Sequence, residues 1–222
     1  ELTAGKIITN NDAYKTTVTA DNIVRHLLTA GKTWKEYTEG LPSVGYTGGD
    51  TGKYTQHHNP LSYFSDVRNS SNEKINLVPF TQFPKDLRNG SLPSYSFIVP
   101  DNDNNGHDCP ATIPNCTDSQ RLAHVDAWLK TNLGPLVGSS GFNATHGGLL
   151  VIVFDESAGD NTHGGGRVAW VAAGPDVKRA YVSTTLYQHQ STLRFLSETL
   201  GLTTFPGAAA TAPDMKEFII GN

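Results

Sequence analysis

Two adjacent carboxylates, Asp155 and Glu156, follow an apolar run over residues 149–154. In open α/β sheets, ligands collect beyond the carboxyl ends of the strands. Neighbouring carboxylates repel each other unless a positive charge lies between them, and hard divalent cations prefer carboxylate oxygen as a ligand. The pattern therefore predicts a metal site at these two residues. The alternative is that Asp155 caps the next turn and Glu156 is only solvated.

Histidines form the second group of residues that could do chemistry. The chain has eight, and four lie in polar loops flanked by glycine or proline or at a predicted helix start: His58, His107, His163 and His189. Imidazole can bind a metal ion, hold an anion or protonate a leaving oxygen near neutral pH. Taken singly, each is more often an ordinary surface histidine. His26 and His124 lie inside helical patterns, where we expect no chemical role.

Three glycines at 164–166 directly follow His163. No Lys-Ser or Lys-Thr pair comes after them, and the G-x-G-x-x-G spacing is absent, so they do not form a phosphate-binding loop. Glycine has no Cβ and tolerates positive φ angles. The triplet therefore predicts a tight turn or a close approach of two backbones before the next strand.

Alternating strands and helices must position these residues. Apolar segments predict strands over 95–100, 148–154 and 168–173. The second is unbroken, which is typical of a strand covered on both faces. Periodic segments predict helices over 19–30, 33–39, 118–133 and 189–200, with a last turn near 213–219. Residues 41–93 are predicted to be irregular. The alternation predicts one α/β domain over 1–222, a layered sandwich with a mainly parallel central sheet flanked by helices.

Composition and charge exclude several classes of protein. The chain has 17 Lys+Arg and 21 Asp+Glu, a net charge of −4. This is too mild to attract phosphate backbones, so we expect no nucleic-acid partner. The longest purely apolar run is residues 149–154, so we expect no transmembrane segment.

Two cysteines, Cys109 and Cys116, have six residues between them, in a segment that contains two prolines. This short spacing favours a local disulfide. A zinc site would need further Cys or His partners at tighter spacing. A disulfide together with a single methionine favours a secreted or periplasmic protein.

Seven motifs occur in a fixed order: WKEYTEGLP at 34–42, YTQHHNP at 54–60, DL at 86–87 with LPSYSFIVP at 92–100, HD at 107–108, FDE at 154–156, HGGG at 163–166 and HQSTLR at 189–194. In that order they resemble the bacterial and fungal phosphoesterase family, which includes acid phosphatases and phosphatidylcholine-type phospholipases C. That family belongs to the alkaline-phosphatase-like superfamily. The resemblance covers about residues 1–219 and implies an alkaline-phosphatase-like fold.

The resemblance implies metal-assisted phosphoryl transfer through a covalent Ser or Thr intermediate, followed by hydrolysis. One or more divalent metal ions are the implied cofactors, held by Asp155 and Glu156. The implied catalytic residues around the phosphate are His58, His107 and His189. His57 and His163 are the implied substrate-binding residues. Small phosphate esters are the expected substrates, and phospholipid head groups are the alternative.

One departure from the family pattern concerns the nucleophile. The family's N-terminal part carries a Glu-Asn metal pair and a Pro-Ser-Leu-x-Asn-Tyr-like nucleophile motif, and neither occurs in these 222 residues. We therefore expect the chain to be the C-terminal part of a longer enzyme, inactive alone, with a strand missing from its sheet. Acid phosphatase is favoured over phospholipase C. The sequence also leaves open a non-catalytic secreted binding module with the same fold, or a sulfatase- or phosphonate-type relative.

Overall fold

A parallel sheet of three strands organises the core in the computed structural model, which describes residues 1–221. β1 (Trp34–Thr38) is the central strand, with β2 (Leu77–Pro79) on one side and β3 (Tyr95–Val99) on the other. Register is fixed by pairs such as Glu36 with Leu77 and Trp34 with Tyr95. The predicted α/β architecture with a parallel sheet is confirmed. Asn222, the last residue of the predicted domain, lies outside the described residues.

Helices come before, between and after the strands. Within residues 1–221 they are α1 (Ile23–Thr29), α2 (Ser65–Arg68), α3 (Ser71–Lys74), α4 (Phe83–Arg88), α5 (Asp118–Val137) and α6 (His189–Thr199). Apolar side chains of α1 and α6 form one cluster with Trp34 and Tyr95 of the sheet. Those of α4 and α5 form a second cluster with Tyr37. Because side chains alternate along a strand, the two clusters cover opposite faces of the sheet.

The segment predicted as a helix over 33–39 is strand β1 instead, and that prediction was wrong. Four of its five residues are buried, all except Lys35, as in a central parallel strand. A five-residue segment is too short for helical periodicity to be tested. Its partners, β2 and β3, lie about 40 and 60 residues further along the chain, so long-range pairing decides its structure.

Two other segments differ from expectation. Residues 41–93 were predicted to be irregular but contain β2, three short α-helices and three short 3-10 helices. Helix α5 continues past Gly134 and Pro135 to Val137, four residues beyond its predicted end. Proline disfavours the helical conformation of the residue before it mainly by contact with that residue's N–H and Cβ. Gly134 has no Cβ, so part of this clash is absent.

The last two strands stand apart from the parallel sheet. β4 (Leu150–Val153) and β5 (Trp170–Ala173) form a separate antiparallel pair. All four residues of β4 are only half-buried, so the prediction of a strand covered on both faces was wrong. Among the described residues, no strand pairs with the outer edge of β3 or of β4. The sheet of residues 1–221 is thus divided into two pieces.

Cys109 and Cys116 form a disulfide, as the sequence predicts. It closes the loop that leads into α5, and Thr117 begins that helix with a capping box to Gln120. None of the helices in residues 1–221 has both the length and the hydropathy that crossing a bilayer requires.

Candidate active site

Strand β4 places the two adjacent carboxylates on a large cavity. Asp155 and Glu156 follow the end of β4 at Val153, are exposed, and line a cavity of about 1440 Å³. Asp155 Oδ1 accepts the backbone N–H of Glu156 at 3.0 Å. A capping side chain accepts an N–H two or three residues further along the chain, so this contact does not make Asp155 the cap of the next turn. Both carboxylates are open to the cavity and can contact a ligand there.

His189 is the first residue of α6 and reaches back to the end of β4. Its Nε2 lies 2.6 Å from the backbone carbonyl oxygen of Asp155. A carbonyl oxygen can only accept, so Nε2 carries the proton. In the neutral ring Nδ1 is then unprotonated and can accept a hydrogen bond or bind a metal ion. This one contact fixes both the ring's position and its tautomer.

His57 and His58 lie in a short 3-10 turn on another wall of the cavity. Their ring centroids are 4.4 Å apart. Burial lowers the pKa of His58 below its ordinary value, and His57 adds to the decrease, whereas the negative charge of Asp155 opposes it. The turn is tied to β1 because Thr38 Oγ1 donates to Asn59 Oδ1 at 2.6 Å. His58 is thus held in place, with a larger neutral fraction at a given pH than a free histidine has.

The loop after β4 carries His163 to the same cavity. His163 has a φ of 58°, and Asp160 holds the loop by accepting the backbone N–H groups of Thr162 and Arg167. These backbone hydrogen bonds lower the pKa of Asp160. A Cβ on Gly166 would lie 2.3 Å from the Asp160 carbonyl oxygen. The predicted close backbone approach is therefore present in the triplet.

Six of the seven predicted site residues line this one cavity: His57, His58, Asp155, Glu156, His163 and His189. His107 does not. It is exposed on the loop before the disulfide, and its backbone carbonyl accepts a hydrogen bond from Arg121 at 2.8 Å. A charge on His107 still acts on the pKa of His58. His107 therefore lies near the site but outside the described cavity.

Sequence reasoning missed two cavity residues that organise the loops. Asp160 holds the His163 loop, and Gln188 Nε2 donates to the His163 backbone carbonyl at 3.2 Å. The role of Asp160 could have been predicted from the local sequence, because an Asp side chain often accepts the backbone N–H two residues further on, as in an Asx turn. The role of Gln188 could not, since its partner is 25 residues away in the chain.

Asp155 and Glu156 offer the oxygen ligands that hard divalent cations prefer. Residues 1–221, however, contain no group of three or more His, Cys, Asp or Glu side chains arranged to hold a metal ion. The donor chemistry of the two carboxylates suits a divalent cation, but among residues 1–221 they do not belong to a group of three such side chains.

The cavity is larger than a small phosphate ester needs. Its volume of about 1440 Å³ exceeds the roughly 300–1,000 Å³ of ordinary ligand pockets. The lining reaches from Phe97 of β3 to Val153 of β4 and Val171 of β5. The cavity thus extends from one piece of the sheet to the other.

Several proteins with similar sequences are named as phosphatases. The profile of the Phosphoesterase family matches residues 3–203. The chain is 31% identical over 196 residues to a phosphatidylinositol-3-phosphatase of Mycobacterium tuberculosis, covering 88% of this chain and 58% of the relative. It is 31% identical over 183 residues to a probable acid phosphatase of Kluyveromyces lactis, covering 78% and 40%. It is 30% identical over 177 residues to a phosphate-repressible acid phosphatase of Penicillium chrysogenum, covering 76% and 39%. The chain therefore spans between 39 and 58% of the length of these relatives.

Proposed function

Because the chain belongs to the Phosphoesterase family, we propose that the whole protein is a metal-dependent acid phosphatase, secreted or periplasmic, that hydrolyses small phosphate esters. The observation that carries the proposal is the convergence of separate motifs. Residues from positions 57 to 189 bring two carboxylates and four histidines to one cavity. The acid phosphatases among its relatives support the class of substrate.

In this proposal Asp155 and Glu156 contribute carboxylates to one or more divalent cations. A bound cation would neutralise charge on the phosphoryl group. His189, oriented by the Asp155 carbonyl, presents Nδ1 to the phosphate region. His58, with its lowered pKa, keeps an unprotonated nitrogen into mildly acidic solution better than a free histidine does.

Three further histidines have supporting roles in the proposal. His57 and His163, which come from two separate motifs, hold oxygens of the substrate from the cavity walls. His107, two residues before the Cys109–Cys116 disulfide and outside the cavity lining, acts through its charge on His58. These positions suit groups that bind a phosphate ester rather than attack it.

We place the Ser or Thr nucleophile and the remaining metal ligands in a part of the polypeptide outside these 222 residues. Four observations support this. The relatives are longer, residues 1–221 contain no group of three potential metal-ligating side chains, the cavity is larger than a small phosphate ester needs, and within these residues β3 and β4 each have an edge without a partner strand. A strand of that additional part would enter between the two pieces of the sheet. The 222-residue chain alone is then inactive.

Phospholipid hydrolysis is the second candidate. The segment of residues 181–188 lines the cavity, and on it Val182 is 83% exposed and Leu186 is 61% exposed. Exposed apolar side chains beside a phosphate site suit a lipid substrate. The similarity to a phosphatidylinositol-3-phosphatase also favours this candidate.

The test uses the full-length protein with a soluble aryl phosphate and, separately, phosphoinositide and phosphatidylcholine micelles. Asp155→Asn should lower the bound metal measured by elemental analysis and reduce turnover by at least about 100-fold. His26→Gln is the matched control, since His26 is bonded to Asp21 and Thr204 outside the cavity. Asp155→Asn with unchanged metal content and rate would refute the site. Turnover by the verified 222-residue chain would refute its proposed inactivity.

A further inference from the structure

Residues 179–188, here called the strap, connect the β5 region to α6, and residues 181–188 of the strap form one wall of the cavity. Both ends of the strap are anchored. Before it, Val177 forms an isolated bridge with Ile219, and after it α6 begins at His189. Between 179 and 187, however, no backbone–backbone hydrogen bond to another described residue holds it. Its middle is therefore held by side chains alone.

One carboxylate collects most of the strap's side-chain hydrogen bonds. Tyr181 Oη donates to Glu217 Oε2 at 2.5 Å, while Ser183 Oγ and Tyr187 Oη donate to Oε1 at 2.5 and 2.6 Å. Both tyrosine rings also contact the ring of Phe218, with centroid distances of 5.5 and 6.1 Å. Hydrogen bonds to an ionised acceptor are about twice as strong as neutral ones. Glu217 is thus the main anchor of the strap.

The last residue of the strap and the first residue of α6 are bonded to the two loops that carry site residues. Gln188, next to Tyr187, donates to the backbone carbonyl of His163 at 3.2 Å. His189 donates to the backbone carbonyl of Asp155 at 2.6 Å. A shift of the strap would therefore move or release both contacts at once.

We propose that Glu217 is a positioning residue: by binding three strap hydroxyls, it fixes the cavity wall and the contacts of Gln188 and His189 with the site loops. The inference rests on the proposed function for its catalytic meaning. The anchoring itself depends only on the geometry of the strap. Glu217 is not among the residues lining the described cavity, so it acts through the strap rather than on a substrate.

The anchor should persist in acidic solution. Hydroxyl donation, by Ser183 first and then by Tyr181 and Tyr187, lowers the pKa of Glu217 from 4.5 to about 2. A carboxylate with a lowered pKa stabilises the structure fully above its ordinary value, and this contribution is lost as the pH falls through about 2.

Three other charged residues lie beside the strap or close to Glu217 in the chain. Lys178 lies 5.3 Å from the Tyr181 ring, Asp214 acts on Tyr187, and Lys216 lies 3.9 Å from the Glu198 carboxylate. None of these three is a carboxylate that accepts a hydroxyl from the strap.

Hydrogen exchange of the full-length protein, read by mass spectrometry, tests the anchor without any substrate. Glu217→Gln should speed exchange of the hydrogen-bonded amides of Thr162, Gly164 and Gly166 in the site loop by about tenfold or more, because the charged hydrogen bonds that hold the strap are lost. Limited proteolysis reports on the strap itself, whose amides have little hydrogen-bond protection, and the variant's strap should be cut faster. Asp214→Asn is the matched control. It removes a carboxylate three residues earlier that, among the described residues, accepts the Lys216 N–H, and it should leave both measurements unchanged. Unchanged exchange of the loop amides in Glu217→Gln, or faster cutting of the strap alone, would overturn the positioning role.

Two further measurements complete the test. If Glu217→Gln also speeds exchange throughout α5, Tyr181→Phe and Tyr187→Phe decide instead, since each removes one hydroxyl and keeps the ring. With an aryl phosphate as substrate, Glu217→Gln should reduce kcat by about tenfold with little change in KM. An unchanged kcat in a variant whose strap has loosened would refute the role of the anchor in catalysis. If the wild-type protein hydrolyses no phosphate ester, the proposed function fails, and proteolysis of the strap with hydrogen exchange of the site loop still decides whether Glu217 acts as an anchor.

Discussion

Replacing Glu36 with glutamine should stabilise the protein, and the gain should grow with pH. Glu36 lies in the middle of the central strand β1 and is 1% exposed. Neither of its carboxylate oxygens has a hydrogen-bond partner among the described residues, and nor does the nearby Tyr54 hydroxyl. Burial without a partner penalises the charged form and raises the pKa of Glu36 to about 8.

The sign and size of the effect follow from the two pKa values. An unfolded chain releases this proton near its ordinary 4.5, whereas the folded protein keeps it until about 8. Between those values the folded state binds more protons, so the free energy of unfolding falls as the pH rises, and it is level above them. At about 1.4 kcal/mol per pKa unit, the loss is on the order of 5 kcal/mol. This is an upper bound, since local opening would admit water to the carboxylate.

Urea denaturation of the wild type and of Glu36→Gln across this range measures the prediction. Near pH 4.5 both side chains are largely neutral in the folded state, so the difference there records only the exchange of a carboxyl for an amide. Toward about pH 8 the variant should become progressively more stable than the wild type by several kcal/mol. A difference that stays constant across the range would show that the carboxylate is solvated or paired, and would refute the reasoning.

Two further stability predictions follow from the fold. Substituting both Cys109 and Cys116 with serine should lower the free energy of unfolding by about 2.5 kcal/mol, from the entropy of the short loop that the disulfide closes; an unchanged urea midpoint would contradict this. Asp86→Ala should lower the free energy of unfolding by about 3 kcal/mol. Asp86 is only 4% exposed, and its carboxylate accepts hydrogen bonds from Lys35 and Tyr37, which would both lose their acceptor. Thermal unfolding checks this loss, and a decrease below about 1 kcal/mol would argue that the network is solvated.

The sequence predicted the helices better than the central strand. For α6, apolar spacing and a following glycine give bounds within one residue of the structure. Strand β1 was missed because its burial comes from β2 and β3, and nothing in a five-residue window reports those partners. The apolar run of β4 correctly indicated a strand, but its expected cover is absent from the described residues.

The site was predictable residue by residue and not as an arrangement. Residue type and loop context singled out Asp155, Glu156 and four histidines, and the family resemblance added His57. Their convergence depends on contacts between distant segments, such as that of His189 with the Asp155 carbonyl. The anchor at Glu217 was missed, because an acidic residue in a short C-terminal turn resembles any solvated carboxylate until its three hydroxyl partners are known.

The unpaired edges of β3 and β4 have a consequence for the fate of the polypeptide in a cell. Neither strand carries a charged residue or a proline, the usual features that stop an exposed edge from pairing with another chain. If a further strand covers these edges in the whole protein, as proposed, a molecule that has not yet added it exposes edges that can pair with another chain. If that strand also brings the nucleophile, the copies that cannot catalyse are the same copies that are prone to aggregate.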